Sequence, residues 1–251
     1  MLEELLPPAV LVVEAFQDGN ASPLFPEEEA VVARAVERRR LEFTTVRSCA
    51  RQALARLGAP AGAILPGEKG APIWPPGVVG SMTHCAGYRG SAVARAAEVV
   101  TVGIDAEENA PLPRGVLPLV SLPEERAQLE RLALSRPDVC WDRLLFSMKE
   151  SVYKAWFPLT GRWLGFEEAT VSAEATTNTF SARLLVPGPM IDGREVTGFQ
   201  GRWLARDGLV LTAIATPATG PLPEPRGRTN AATFSHGLDD VTGAGGAANP
   251  R

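Results

Sequence analysis

Three cysteines, an odd number with no C-x-x-C spacing, do not make a disulfide framework. Cys49, Cys85 and Cys140 fit free thiols in a reducing compartment. No apolar run approaches the length of a membrane span. The first residues, M-L-E-E-L-L-P-P, are acidic where a secretory signal is basic. The chain is therefore expected in the cytoplasm, with no membrane partner. A net charge of −4 supplies no overall positive field for non-specific nucleic-acid binding. The phosphate-cradling loop G-x-x-x-x-G-K-[ST] is absent, which argues against a nucleotide hydrolase. Of the two histidines, His236 lies in a stretch without periodicity and receives no role. His84 stands alone in the rest of the chain, and a lone histidine on a strand is more often a packed group than a catalyst.

What is present is ample core: 45% of 251 residues are hydrophobic, enough for one large domain or two small ones. The stretch around which the chain is organised is Trp141 to Phe157, W-D-R-L-L-F-S-M-K-E-S-V-Y-K-A-W-F. At 3.6 residues per turn, Trp141, Leu144, Leu145, Met148, Val152, Ala155 and Trp156 form one apolar stripe. Glu150 and Lys154 lie opposite it one turn apart, with Lys149 and Tyr153 beside them. Asp138 or Asp142 is expected to cap the start, and Pro158 to stop the helix after Phe157. Glu150 and Lys154 alone read as a solvated pair contributing a few tenths of a kcal/mol. Chemistry needs a second acidic cluster.

That cluster ends an apolar strand, Glu98 to Asp105. In extended chain Asp105 and Glu107 project to one face, and two exposed carboxylates at a strand end are unfavourable unless a cation neutralises them. Hard oxygens with water completing an octahedron suit Mg²⁺. The alternative is that the two splay apart in solvent.

The rest of the chain frames these two motifs. Val10 to Phe16, Val78 to His84 and Ser91 to Arg95 read as strands. Helical pattern runs from Pro26 to Leu57, as one helix or as two broken near Phe43. It carries Arg34, Arg38, Arg39, Arg40, Arg47, Arg51 and Arg56, and the guanidinium fork suits phosphate. Residues 58–77 are a Gly/Pro loop with Lys69 in a turn. Leu112 to Pro118 reads as a connector. Ser121-Leu122-Pro123-Glu124 has the form of a capping box, opening a helix to about Leu134. Ala169 to Glu174 and Phe180 to Leu185 are expected strands. Phe199 to Arg206 and Leu209 to Ala215 make a hairpin about Asp207-Gly208. The expected fold is α+β, two pseudo-symmetric halves of helices plus a small antiparallel sheet, over 1–111 and 112–217. Residues 218–251 read as a disordered tail by composition.

With G-S-M-T-H-C, V-G-I-D-A-E and F-S-M-K-E-S-V-Y-K in this order, and W-F-P-L-T-G-R-W-L-G-F following, the chain resembles the Sfp-type 4′-phosphopantetheinyl transferases, near the enterobactin-synthetase type. The resemblance covers about residues 10–216. It implies transfer of the phosphopantetheine arm of coenzyme A to a serine of an apo acyl or peptidyl carrier protein, releasing adenosine 3′,5′-bisphosphate. The carrier class stays open among fatty-acid, polyketide and nonribosomal-peptide (siderophore) systems. It implies a site between two similar α+β halves of a monomer.

Residue by residue, the resemblance makes Asp105 and Glu107 magnesium ligands, joined by the Ala106 carbonyl. Glu150 becomes the general base close to the metal. Lys149 and Lys154 face the coenzyme's phosphates. Thr83 and His84 meet its 3′-phosphate, with Arg39 and Arg47 on the coenzyme surface and Arg40 a near alternative to the first. Gly67, Glu68 and Lys69 follow the adenosine, and Leu164 lines the pantetheine channel. Two positions depart from the family: Pro66, where some relatives carry lysine, and Phe146, often Trp. A noncatalytic protein that binds coenzyme A or a carrier is the competing reading.

Overall fold

The computed structural model describes residues 1–19 and 21–218. Its strands are β1 (Leu11–Ala15), β2 (Val78–Cys85), β3 (Tyr88–Arg95), β4 (Val99–Glu108), β5 (Ala169–Glu174), β6 (Thr179–Leu184), β7 (Met190–Ile191), β8 (Arg194–Glu195), β9 (Gly198–Arg206) and β10 (Leu209–Pro217). Its helices are α1 (Pro26–Val32), α2 (Glu37–Arg56), α3 (Leu117–Val120), α4 (Pro123–Ser135) and α5 (Trp141–Thr160). The α+β class holds: a three-stranded sheet in the order β1-β3-β2 and a five-stranded sheet in the order β4-β10-β9-β6-β5, both antiparallel. β4 precedes the Leu112–Pro118 connector in sequence yet pairs with β10, the last strand. The larger sheet thus draws on both sides of the connector. Past Ala218, the expected tail lies outside the described residues.

Alternation along β4 places the site. Val102, Ile104 and Ala106 point into a core shared with Tyr88, Ala92, Leu209 and Leu211. Thr101, Gly103, Asp105 and Glu107 take the other face, toward α5. Thr101 Oγ1 donates to the Ala155 carbonyl at 2.8 Å. At Gly103 an added Cβ would lie 2.1 Å from the Ser151 carbonyl oxygen, so only glycine lets the helix lie this close. Ser147 and Ser151 both reach Thr212 Oγ1, at 3.0 and 2.6 Å, and Thr212 is the cross-strand neighbour of Asp105. These hydroxyls fix α5 along its axis relative to β4 and β10. The expected stripe is buried as read: Trp141, Leu144, Leu145, Met148, Val152, Ala155 and Trp156 all enter the core against β5, β6, β9 and β10.

Several local expectations are corrected. α5 passes Pro158 and ends at Thr160, with Gly161 left-handed (φ 62°) as its stop. A proline so near the C-terminal end forfeits one backbone bond without breaking the last turn. Neither aspartate caps α5: Asp138 pairs with Arg136, and Asp142 accepts from the Leu112 and Arg143 amides. The box before α4 is one residue later than read, with Glu125 accepting from the Leu122 amide at 2.7 Å. Pro123 at the first helical position sets that register. The long basic helix breaks at residues 33–36, not at Phe43. Phe43, Val46, Cys49, Ala50, Ala53 and Leu54 form one buried stripe that holds α2 intact.

Candidate active site

α5 carries Glu150 and Lys154 toward the carboxylates of β4. Lys154 Nζ donates to Asp105 Oδ1 at 2.6 Å and to the Ile104 carbonyl at 3.1 Å. Its partner is therefore Asp105, across the interface, and not Glu150 on its own helix. Glu107 meets Arg143 at 2.9 Å. Arg143 was not singled out in the sequence, although it lies two helical turns before Glu150. Asp105 is 4% exposed, so the expectation of an exposed strand end fails: β4 continues to Glu108, pairs with β10, and turns Asp105 toward Lys154 of α5 and Thr83 of β2.

One oxygen stands out. Asp105 Oδ1 accepts from Lys154 and from Thr83 Oγ1, but the buried Oδ2 has no partner among the described residues. Burial pushes the Glu107 carboxyl above its ordinary range, and Asp105 adds to the rise while Arg143 opposes it. Burial also raises Glu150, against the pull of Lys154, with Asp105 and Glu107 adding to the rise. Two carboxyls with raised proton affinity beside a third with an orphaned oxygen are hard oxygen donors of the kind a divalent cation takes. Among the described residues, no three His, Cys, Asp or Glu gather closely enough to hold an ion alone. A cation here would need water or substrate oxygens to complete its shell, as Mg²⁺ commonly does.

A cleft of about 920 Å³ opens beside this cluster. Arg39, Arg47, Glu68, Lys69, His84, Glu150 and Lys154 all line it, together with Pro66 and Trp74. Arg39 Nη1 lies 2.6 Å from His84 Nε2. Burial, then Arg39, lowers the imidazole's proton affinity, so the ring accepts from the guanidinium as a neutral base. Glu42 holds the group from behind: it pairs with Arg38 at 3.0 Å and lies 3.8 Å from both Arg39 and Arg89 and 3.7 Å from His84. Helical spacing to Arg38 and Arg39 was the signal that could have found Glu42. Arg47 is buried; it stacks on Phe43 at 3.8 Å and donates to the Ile64 carbonyl, and burial lowers it to about 10.

A smaller cavity of about 290 Å³ shares Lys69, Glu150 and Tyr153 with the cleft. Leu164 lines it, with Trp163, Gly165 and Phe166. Phe146 packs on Phe166, ring centroids 6.0 Å apart. Gly67 shapes the turn before Ala71, accepting from the Gly70 amide and donating to the Ala71 carbonyl. Lys69 takes a left-handed conformation (φ 52°) within it.

Two expected residues turn elsewhere. Thr83 Oγ1 accepts from the Ala106 amide at 3.0 Å, so its hydroxyl joins β2 to β4 while the neighbouring His84 faces the cleft. Lys149 is 4% exposed and directs its ammonium to Glu125. Adjacent helix positions point about 100° apart, which separates Lys149 from Glu150.

Two family models match the chain: the 4′-phosphopantetheinyl transferase N-terminal domain over residues 27–94, and the 4′-phosphopantetheinyl transferase superfamily over residues 101–195. The 4′-phosphopantetheinyl transferase Svp of Streptomyces mobaraensis is 61% identical over 221 residues, 87% of this chain and 90% of that protein. The chain belongs to the 4′-phosphopantetheinyl transferase family. Within it, 4′-phosphopantetheinyl transferase PptT of Mycobacterium tuberculosis is 51% identical, covering 80% of this chain and 89% of its own length. Enterobactin synthase component D of Salmonella typhimurium is more distant, 32% identical over 59% of this chain and 60% of that protein. A 4′-phosphopantetheinyl transferase is an enzyme, and the boundary between its two family models, residues 94 and 101, falls at the start of β4.

Proposed function

We propose that this transferase takes coenzyme A as donor and moves its phosphopantetheine arm to a serine hydroxyl of an apo carrier protein, with Mg²⁺ required. The observation that carries the reading is the orphaned Asp105 Oδ2, buried beside Lys154 where the cleft and the smaller cavity share Glu150. Asp105 and Glu107, with Glu150 close by, would hold the cation. When bound, Mg²⁺ neutralises the pyrophosphate and orients it for in-line displacement.

The chain's own groups supply the rest. Glu150, with its raised proton affinity, accepts the serine proton as the serine oxygen bonds to the β-phosphorus. The bond from that phosphorus to the bridging oxygen breaks, and its electron pair leaves with adenosine 3′,5′-bisphosphate. The Lys154 ammonium faces the developing negative charge. Arg39 and His84, lying together in the larger cleft, hold the unreactive 3′-phosphate as a handle. The smaller cavity takes the pantetheine arm along Leu164. One chain lines both cavities, which supports a monomer, and the three free thiols support a cytosolic setting. Among the described residues, no helix is long and apolar enough to cross a membrane.

The test is a mass spectrum of an apo carrier protein after incubation with coenzyme A and Mg²⁺. The expected result is a gain equal to one phosphopantetheine, lost in excess chelator. Undiminished transfer in chelator sinks the metal assignment, and no transfer to acyl or peptidyl carriers sinks the acceptor.

A further inference from the structure

Lys149 sits next to Glu150 in sequence, but its charge is spent inside the protein. Its side chain is 3% exposed and that of Glu125 is 1%, with Nζ and Oε2 2.9 Å apart. Nζ also donates to the Phe166 carbonyl at 2.5 Å and to the Ala169 carbonyl at 3.0 Å. Three acceptors fill the three donors of an ammonium. Glu125 is equally committed, accepting from the Leu122 amide at the start of α4 and from the Val171 amide of β5. The two residues tie α4, α5 and β5 to the turn at Phe166–Glu168. Leu164, Gly165 and Phe166 line the smaller cavity and hang from that tie; Lys149 lines it too, with its ammonium turned to Glu125 and the two carbonyls.

We infer that Lys149, clamped by Glu125, is a positioning residue that sets the Leu164–Phe166 wall against the coenzyme's pantetheine arm and is not a ligand of its phosphates. The inference rests on the coenzyme A reading above and deepens it. A phosphate ligand must keep donors free for the ligand, and withdrawing this ammonium would strand a buried carboxylate. A wall held by carbonyl contacts instead needs the lysine where it stands, and its loss loosens only what touches the wall.

Calorimetric binding to the full chain separates the two roles, because coenzyme A carries the arm and 3′-phosphoadenosine 5′-diphosphate, which keeps all three phosphates, does not. Lys149→Met is expected to weaken coenzyme A about tenfold, the size of losing one good apolar contact, and to leave 3′-phosphoadenosine 5′-diphosphate within about twofold. Glu125→Gln, which keeps an acceptor for the backbone amides but removes the counter-charge, is expected to show the same split. It decides the matter alone if Lys149→Met does not fold. Parallel weakening of both ligands by Lys149→Met, or parallel tightening by Glu125→Gln, overturns the inference. Failure of the unmodified protein to bind coenzyme A overturns the functional reading itself, and the inference with it.

Discussion

α5 makes two lysine–carboxylate pairs, and they are opposites. Lys149–Glu125 is closed: the side chains are 3% and 1% exposed, and backbone groups on three sides complete them. Lys154–Asp105 is open: the lysine keeps 26% of its exposure and one aspartate oxygen is buried with no partner among the described residues. Both lysines would look like phosphate ligands in a motif. Only the second pair leaves donor and acceptor capacity over, and unspent capacity in an enclosed place is what a ligand can use.

The strongest blow to the contrast is Asp105→Asn, which keeps volume and removes charge. Transfer is expected to fall about 10³-fold or more, because a cation's contribution of several kcal/mol is lost. The same change at Glu150 is expected to cost about 10²–10⁴-fold, as for a positioned general base. Because Glu150 is raised, its acid limb in the rate profile should lie above the usual carboxylate range. Turnover within a few-fold of the unmodified enzyme would reduce Glu150 to a surface acid.

Stability sharpens the contrast from the other side. Lys149→Met leaves Glu125 charged and buried and is expected to lower unfolding free energy by about 3–5 kcal/mol. Lys154→Met, at a partly solvated site, should lower the melting temperature far less while abolishing transfer. Equal losses from the two, measured by denaturant unfolding, would erase the distinction.

Raised carboxyls also predict a pH effect on the metal-free protein. Glu107 and Glu150 hold protons in the folded state that the unfolded chain has already released. Their contribution to stability is therefore full below the unfolded pKa and lost as pH rises through the folded one. Added Mg²⁺ should flatten that slope in thermal melts. Smallest is the 3′-phosphate handle. His84→Ala should shrink the preference for coenzyme A over its dephospho form by about 1.5–3 kcal/mol in kcat/KM. The effect should be larger at acid pH, since burial and Arg39 hold the imidazole neutral until pH falls below its usual range.

Much of this arrangement was legible in the sequence because it follows from period. The buried stripe of α5, the shared face of Asp105 and Glu107 and the Asp207-Gly208 hairpin are local geometry. Pairing across the chain was not legible. Nothing near Lys154 indicates that it meets Asp105 instead of Glu150, and nothing near Lys149 indicates a carboxylate on α4. The burial of Asp105 was missed for the same reason, since Thr83 and Lys154, which meet it, are distant in sequence and β10, which pairs with its strand, is the last strand. The break at residues 33–36 has no proline or glycine to mark it.

That late partner has a consequence for how the protein is made. β4 is synthesised well before β10, yet β10 is the strand that pairs with it in the sheet. In the folded protein β4 meets β2 through side-chain hydroxyls, Ser81 accepting from the Ile104 amide and Thr83 from the Ala106 amide, so before Leu209–Pro217 is made β4 lacks its ladder partner. The nascent chain thus carries its acidic cluster on an unfinished edge. A ribosome stalled before Leu209 would present a chain that already holds Asp105, Glu107, Glu150 and Lys154 but lacks the strand that pairs with β4.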